Sequence, residues 1–202
     1  MLDLLATTLR REPELEVVFT ASTVAQARAL FDESEVDVAV IDIDLPDGNG
    51  VGLGVALSRE FPRPAIVLLS ANDMLELFQG LPSEVRATWS YLSKTSTTDS
   101  SVLVRTILAT AHGQSVIDPA LVDRSTPRLG SRVSTLTPRQ FDVLRCLARG
   151  LSNQAIADDL NMGLNSVVNH LTAIYATLGI PDDANPRVHA VLEFLKDTSR
   201  DG

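Results

Sequence analysis

Two groups of residues in this 202-residue chain have the types and spacing to do chemistry. The first is a carboxylate cluster, Asp42-Ile43-Asp44, which follows directly on the apolar run Val38-Ala39-Val40-Ile41. A buried parallel strand that ends at a site reads this way. The second is a pair of short helical stretches, Ser152 to Met162 and Asn165 to Leu171, joined by a tight turn. Such a pair, with a polar face on its second helix, suits the major groove of DNA, which is about as wide as one helix. Asn165, Ser166, Asn169 and His170 are the polar residues of its early turns, and Val168 offers methyls to a thymine. A calcium loop beginning at Asp42 is excluded, because Pro46 would be its third ligand and Leu53 its last. Cys146 lies among apolar residues and has no second cysteine to pair with, so it reads as a buried thiol in a reducing compartment.

The elements that must position these groups follow from hydrophobic period. Leu2, Leu5 and Leu9 repeat at helical spacing, Glu16 to Thr20 is β-branched and aromatic as in a strand, and Val24 to Phe31 is helical again. After Val38–Ile41 come a helix from about Val51 to Glu60, a strand Ala65 to Leu69, a helix around Asp73 to Gln79, a strand Trp89 to Leu92 and a helix Ser101 to His112. This alternation predicts a doubly wound parallel sheet with helices on both faces. From Asp118 to Thr135 the period is lost among prolines, glycine and serines, as in a linker. Thr137-Pro138-Arg139-Gln140 then starts a helix with a hydroxyl cap, a first-turn proline and a third-position Gln. Two further helices end near Leu160 and Gly179, and a fourth starts at Asn185-Pro186 with Val188, Val191, Leu192 and Leu195 as its apolar stripe. The expected domains are 1–115, a linker 116–134 and 135–202. Residues 1–132 carry 11 basic and 18 acidic side chains, and residues 133–202 carry 6 and 8, so neither half is basic. This balance argues against broad electrostatic binding to nucleic acid. No apolar run is long enough to span a membrane, and a cytoplasmic location is expected.

The segment from Leu136 through Gly150-Leu151-Ser152-Asn153 to Leu171 resembles the LuxR-type helix-turn-helix of NarL/FixJ response regulators. The resemblance implies an all-α four-helix domain that regulates transcription as a homodimer on a two-fold symmetric DNA site, and its last helix is the family's usual dimer surface. DNA contacts are expected from Asn165, Ser166, Val168, Asn169, His170 and Thr172. Val168 and Thr172 stand where relatives carry Lys or Arg, so binding is expected to be weak or to depend on dimerisation. Gly163 replaces the usual Ser or Thr cap, at a cost of only a few tenths of a kcal/mol, about what glycine loses at that position.

Val38 to Gly50 resembles the phosphoacceptor strand and loop of a receiver domain, of flavodoxin-like fold. By that resemblance Asp42 accepts a phosphoryl group from a histidine kinase, Asp44 offers its carbonyl to Mg²⁺ beside Asp42, and Pro46 and Gly50 shape the loop. Ser70 and Lys94 would bind the phosphoryl oxygens and Tyr91 would be the aromatic switch. The receiver's first strand, with its acidic pair for Mg²⁺, is missing ahead of the first helix. The ion is therefore expected to bind poorly. Either translation starts upstream, or the half has become a non-phosphorylated module that binds a protein or small ligand. The second strand is expected to pair directly with Val38–Ile41 or to borrow a strand. Asp42-Ile43-Asp44 also satisfies the first motif of haloacid-dehalogenase-like phosphatases, but the later acidic pair they need has no counterpart, and no enzyme is expected.

Overall fold

In a computed structural model the described residues are 1–32, 34–61, 64–71, 88–181 and 185–198. They fall into two compact units, divided after Gly113. The helix expected at Asp73 to Gln79 lies outside the described residues.

The first unit begins with α1 (Leu2–Leu9) and α2 (Val24–Leu30). Then come β1 (Val38–Asp42), a two-stranded ribbon of β2 (Asp44–Leu45) and β3 (Gly48–Asn49), and α3 (Gly50–Glu60). β4 (Ala65–Ser70), β5 (Trp89–Ser93) and α4 (Ser100–Ala111) complete it. Among the described residues β1, β4 and β5 form a parallel sheet in that order, with Asp42 opposite Leu69 and Ser70 opposite Ser93. The side-chain period of two divides the sheet's faces. Val67, Leu69 and Leu92 pack with Leu103 and Ile107 of α4 and with Leu5 and Leu9 of α1. On the other face α3 lies so close to β5 that a Cβ on Gly54 would sit 2.6 Å from the Trp89 ring.

Glu16–Thr20 is not a strand. Its β-branched composition reports a side chain's fit to a pleated surface, whereas a strand also needs a neighbour for its peptide groups. The direct pairing of a second strand with Val38–Ile41 is not seen among the described residues: β1 pairs only with β4.

The second unit holds α5 (Pro119–Arg124), α6 (Pro138–Ala148), α7 (Asn153–Asp159), α8 (Leu164–Leu178) and α9 (Pro186–Thr198). The expected capping box closes on Thr137 and Gln140. Gly150 and Gly179, each at positive φ, follow α6 and α8 as glycine allows. Residues 118–135 are more ordered than their composition suggests. Asp118 caps α5 through the Ala120 N–H at 2.8 Å, and Pro119 occupies the first turn, where its missing N–H costs nothing. The backbone N–H of Val133 donates to the buried Asp197 carboxylate on α9, and that of Arg128 to the Asp197 carbonyl.

Candidate functional site

Asp42 ends β1, Ser70 ends β4 and Lys94 follows β5, so the sheet brings all three to the carboxyl ends of its strands. In open α/β sheets ligands bind there. The Lys94 N–H donates to the Ser70 carbonyl at 2.7 Å, which continues the β4–β5 ladder just past the strand ends. Its Nζ lies 2.7 Å from Asp42 Oδ2, while Asp42 Oδ1 accepts the Asp44 N–H at 3.0 Å. Both side chains keep about a fifth of their surface exposed, 22% for Lys94 and 23% for Asp42. Ser70 and Tyr91 are buried in the sheet, and Asp44 is exposed. No group of three or more His, Cys, Asp or Glu residues among the described residues could hold a metal ion.

The loop after β1 is held at two points. Gly50 donates its N–H to the Ile43 carbonyl, and a Cβ there would lie 1.9 Å from the Asp42 carbonyl oxygen. Only glycine allows that approach. Asp47, at the turn of the ribbon, accepts the N–H groups of Val24 and Ala25 at 2.7 and 3.1 Å and so caps α2. These two donors hold its carboxyl below the ordinary range.

In the second unit Ser152 caps α7 through Ala155, whereas α8 starts at Gly163 without a side-chain cap. The turn between the helices includes Asn161 in the left-handed region, which Asn tolerates, and Arg139 donates to the Leu160 carbonyl there. Val167, Leu171, Ile174 and Leu178 are the buried side of α8. Asn165, Ser166, Val168, Asn169 and Thr172 are exposed and His170 partly so. All six residues expected to meet DNA therefore belong to one helix, on the sides turned away from its core.

Residues that the sequence reading missed hold these groups in place. Arg187, half-buried at the start of α9, donates to Asn153 Oδ1 at 2.7 Å and to the Leu151 carbonyl at 2.5 Å, fastening α9 to the first turn of α7. Burial pulls its pKa down, partly offset by Tyr175. Neither Arg187 nor Asp47 carries a local signal, because each reaches a partner more than twenty residues away.

Cys146 is buried, with its thiol 3.3 Å from Asp159 Oδ2. Burial first, then the bond to and charge of Asp159, push the thiol up to about 12. The folded state thus holds this proton more tightly than the unfolded chain, which releases it near 9. The contribution of this thiol to stability is constant below pH 9 and is lost as the pH rises toward 12, at no more than about 1.4 kcal/mol per pH unit. Iodoacetamide at pH 8 is expected to leave native Cys146 unlabelled and to label it fully in urea; rapid native labelling would contradict this placement.

Both units match known families. The receiver domain of response regulators matches residues 1–108, and the luxR family of bacterial regulatory proteins matches residues 134–190. The chain belongs to the response regulators: it is a DNA-binding transcriptional regulator of the two-component type, with the receiver and LuxR-type helix-turn-helix of the NarL/FixJ arrangement. Over 186 residues it is 26% identical to the response regulator protein VraR of Staphylococcus epidermidis and 25% identical to that of Staphylococcus aureus, covering 90% of this chain and 87% of each relative. The structure of two RcsB dimers bound to two parallel DNAs shares the fold at 19% identity and a TM-score of 0.50, over 96% of this chain and 90% of that one. ChrA, a response regulator of a heme-sensing two-component system, is 27% identical with a TM-score of 0.45, over 95% of this chain and 89% of that one. No helix among the described residues is long and apolar enough to cross a membrane.

Proposed function

We propose that the receiver half takes its input at Asp42 without Mg²⁺-dependent phosphorylation, and that the chain acts in the cytoplasm as a homodimer with α8 in the major groove of a two-fold symmetric site. The observation that carries the first part is the contact of Lys94 with Asp42 at 2.7 Å. Mg²⁺ demands near-octahedral oxygen ligation. Here the described donors amount to one carboxylate already bonded at both oxygens and the exposed Asp44, a set that does not fit a resident ion. Ser70 and Tyr91, the residues that resemble a phosphoryl ligand and a switch, have almost no exposed surface. A histidine kinase is the partner that membership of the family implies. Under this proposal a receiver-binding protein or ligand delivers the signal instead, by engaging Lys94 or Asp42.

Incubation with acetyl phosphate and Mg²⁺ is expected to give little or no acid-stable, base-labile adduct. A near-stoichiometric adduct that Asp42→Asn abolishes would return phosphorylation as the input and Asp42 as its acceptor. For the output, gel shifts with the full chain at low salt test sequence preference. Its absence would favour a protein-binding role for the helical half, a reading that the net charge of −2 over residues 133–202 keeps in view.

A further inference from the structure

The exposed surface of α8 carries methyls and amides beside the Ser166 hydroxyl and the partly exposed His170. Leu164 and Val168 are 45% and 44% exposed, and with Thr172 they form a stripe at i, i+4, i+8. Thr172 spends its hydroxyl donor on the Val168 carbonyl at 3.0 Å. Beside this stripe Asn165 and Asn169, also four apart, are exposed, and neither side-chain amide has a hydrogen bond among the described residues.

Cations are scarce here for a reason beyond composition. Each arginine of residues 133–198 already has a partner within the chain: Arg139 the Leu160 carbonyl, Arg145 Asp123, Arg149 Asp159, and Arg187 Asn153 with Leu151. In the major groove guanine is read chiefly by Arg or Lys on O6 and N7, adenine by the Asn or Gln amide on N6 and N7, and thymine by apolar contact with its methyl. An amide beside a methyl stripe matches the two halves of one A·T pair.

We infer that the half-site read by α8 is A·T-specified, with Asn165 or Asn169 on adenine and Val168 on a thymine methyl. This rests on the proposal that α8 enters the major groove. It adds the adenine contact and the A·T specification of the site to the thymine contact expected of Val168, which stands where relatives carry Lys or Arg.

The test is selection of the full chain on a random-core duplex library at low salt, followed by anisotropy titrations on the enriched duplex. The enriched core is expected to be specified at A·T pairs. Replacing the thymine of one half-site by uracil, which removes only the methyl, should weaken wild-type binding about four-fold, the worth of one buried CH₂-sized group. It should not weaken Val168→Ala further; Val168 is exposed, so this variant leaves the core intact. Replacing the matching adenine by 7-deazaadenine should weaken the wild type roughly five-fold or more and leave Asn165→Ala or Asn169→Ala unaffected. A core specified at G·C pairs, or equal losses in wild type and variants, would overturn the inference while α8 remains a DNA reader. No enrichment at all would remove the major-groove reading and this inference together.

Discussion

Gly50→Ala is expected to destabilise the receiver half by about 3 kcal/mol or more, at or beyond the usual cost of overpacking. The new Cβ would meet the Asp42 carbonyl oxygen at 1.9 Å, its carbon at 2.8 Å and the Ile41 Cγ2 at 2.9 Å. Two of these three atoms are backbone, so no rotamer relieves the contact. Either the first turn of α3 moves away from β1, or the Asp42 peptide turns and takes the carboxylate off Lys94. Two residues later the same substitution meets empty space: nothing lies within 4 Å of a Cβ on Gly52, and Gly52→Ala is expected to stabilise by about 0.5–1 kcal/mol through helix propensity. Urea unfolding of the pair checks both signs. Equal stabilities for the two variants would refute the close approach of α3 to Asp42.

Arg187→Met is expected to cost the helical half about 3 kcal/mol, since hydrogen bonds to charged groups contribute roughly 1.5–3 each and their loss leaves two part-buried acceptors without a partner. The methionine keeps the bulk of the stem but leaves Asn153 Oδ1 and the Leu151 carbonyl without their guanidinium. Arg187→Lys should recover little, because one ammonium does not reproduce a fork that reaches two acceptors. DNA affinity should fall with stability, as the first turn of α7 loses its tie to α9. A stability change under about 0.5 kcal/mol, the size of an ordinary surface substitution, would show that the contact is dispensable.

Much of this was legible in the residues themselves. Continuous apolar runs marked β1 and β4, the aromatic-rich Trp89 to Leu92 marked β5, and the Thr137-Pro138-Arg139-Gln140 signature marked the start of α6, because in each the determining physics is local. The order of Asp42, Ser70 and Lys94 along the chain also placed them at one end of the sheet, since parallel strands end on the same side. Glu16–Thr20 was misread for want of a partner strand, which no side chain encodes. Pro119 has the composition of a linker breaker yet is the first residue of a helix, and the Asp118 before it is the sign of that start. Asp47 and Arg187 were out of reach altogether: their roles arise from long-range proximity, 22 to 36 residues along the chain.

The strand that delivers Asp42 is bonded on one side only among the described residues, and its parity has a consequence for how firmly it is held. Asp37 and Ile43 turn their peptide groups toward β4, as the bonds from Ala65 and to Leu69 record. In a strand the intervening odd-numbered residues, Ala39 and Ile41, share that direction, and Val38, Val40 and Asp42 face the opposite way. Val38 and Val40 should then exchange their amide hydrogens faster than Ala39 and Ile41, in a period of two. Local opening of β1 needs fewer bonds broken than opening of β4, which is bonded to a strand on each side. Among the described residues the carboxylate thus rides on a strand bonded on one side only, as is β5 ahead of Lys94, and the distance between the two groups can fluctuate without unfolding the core beneath.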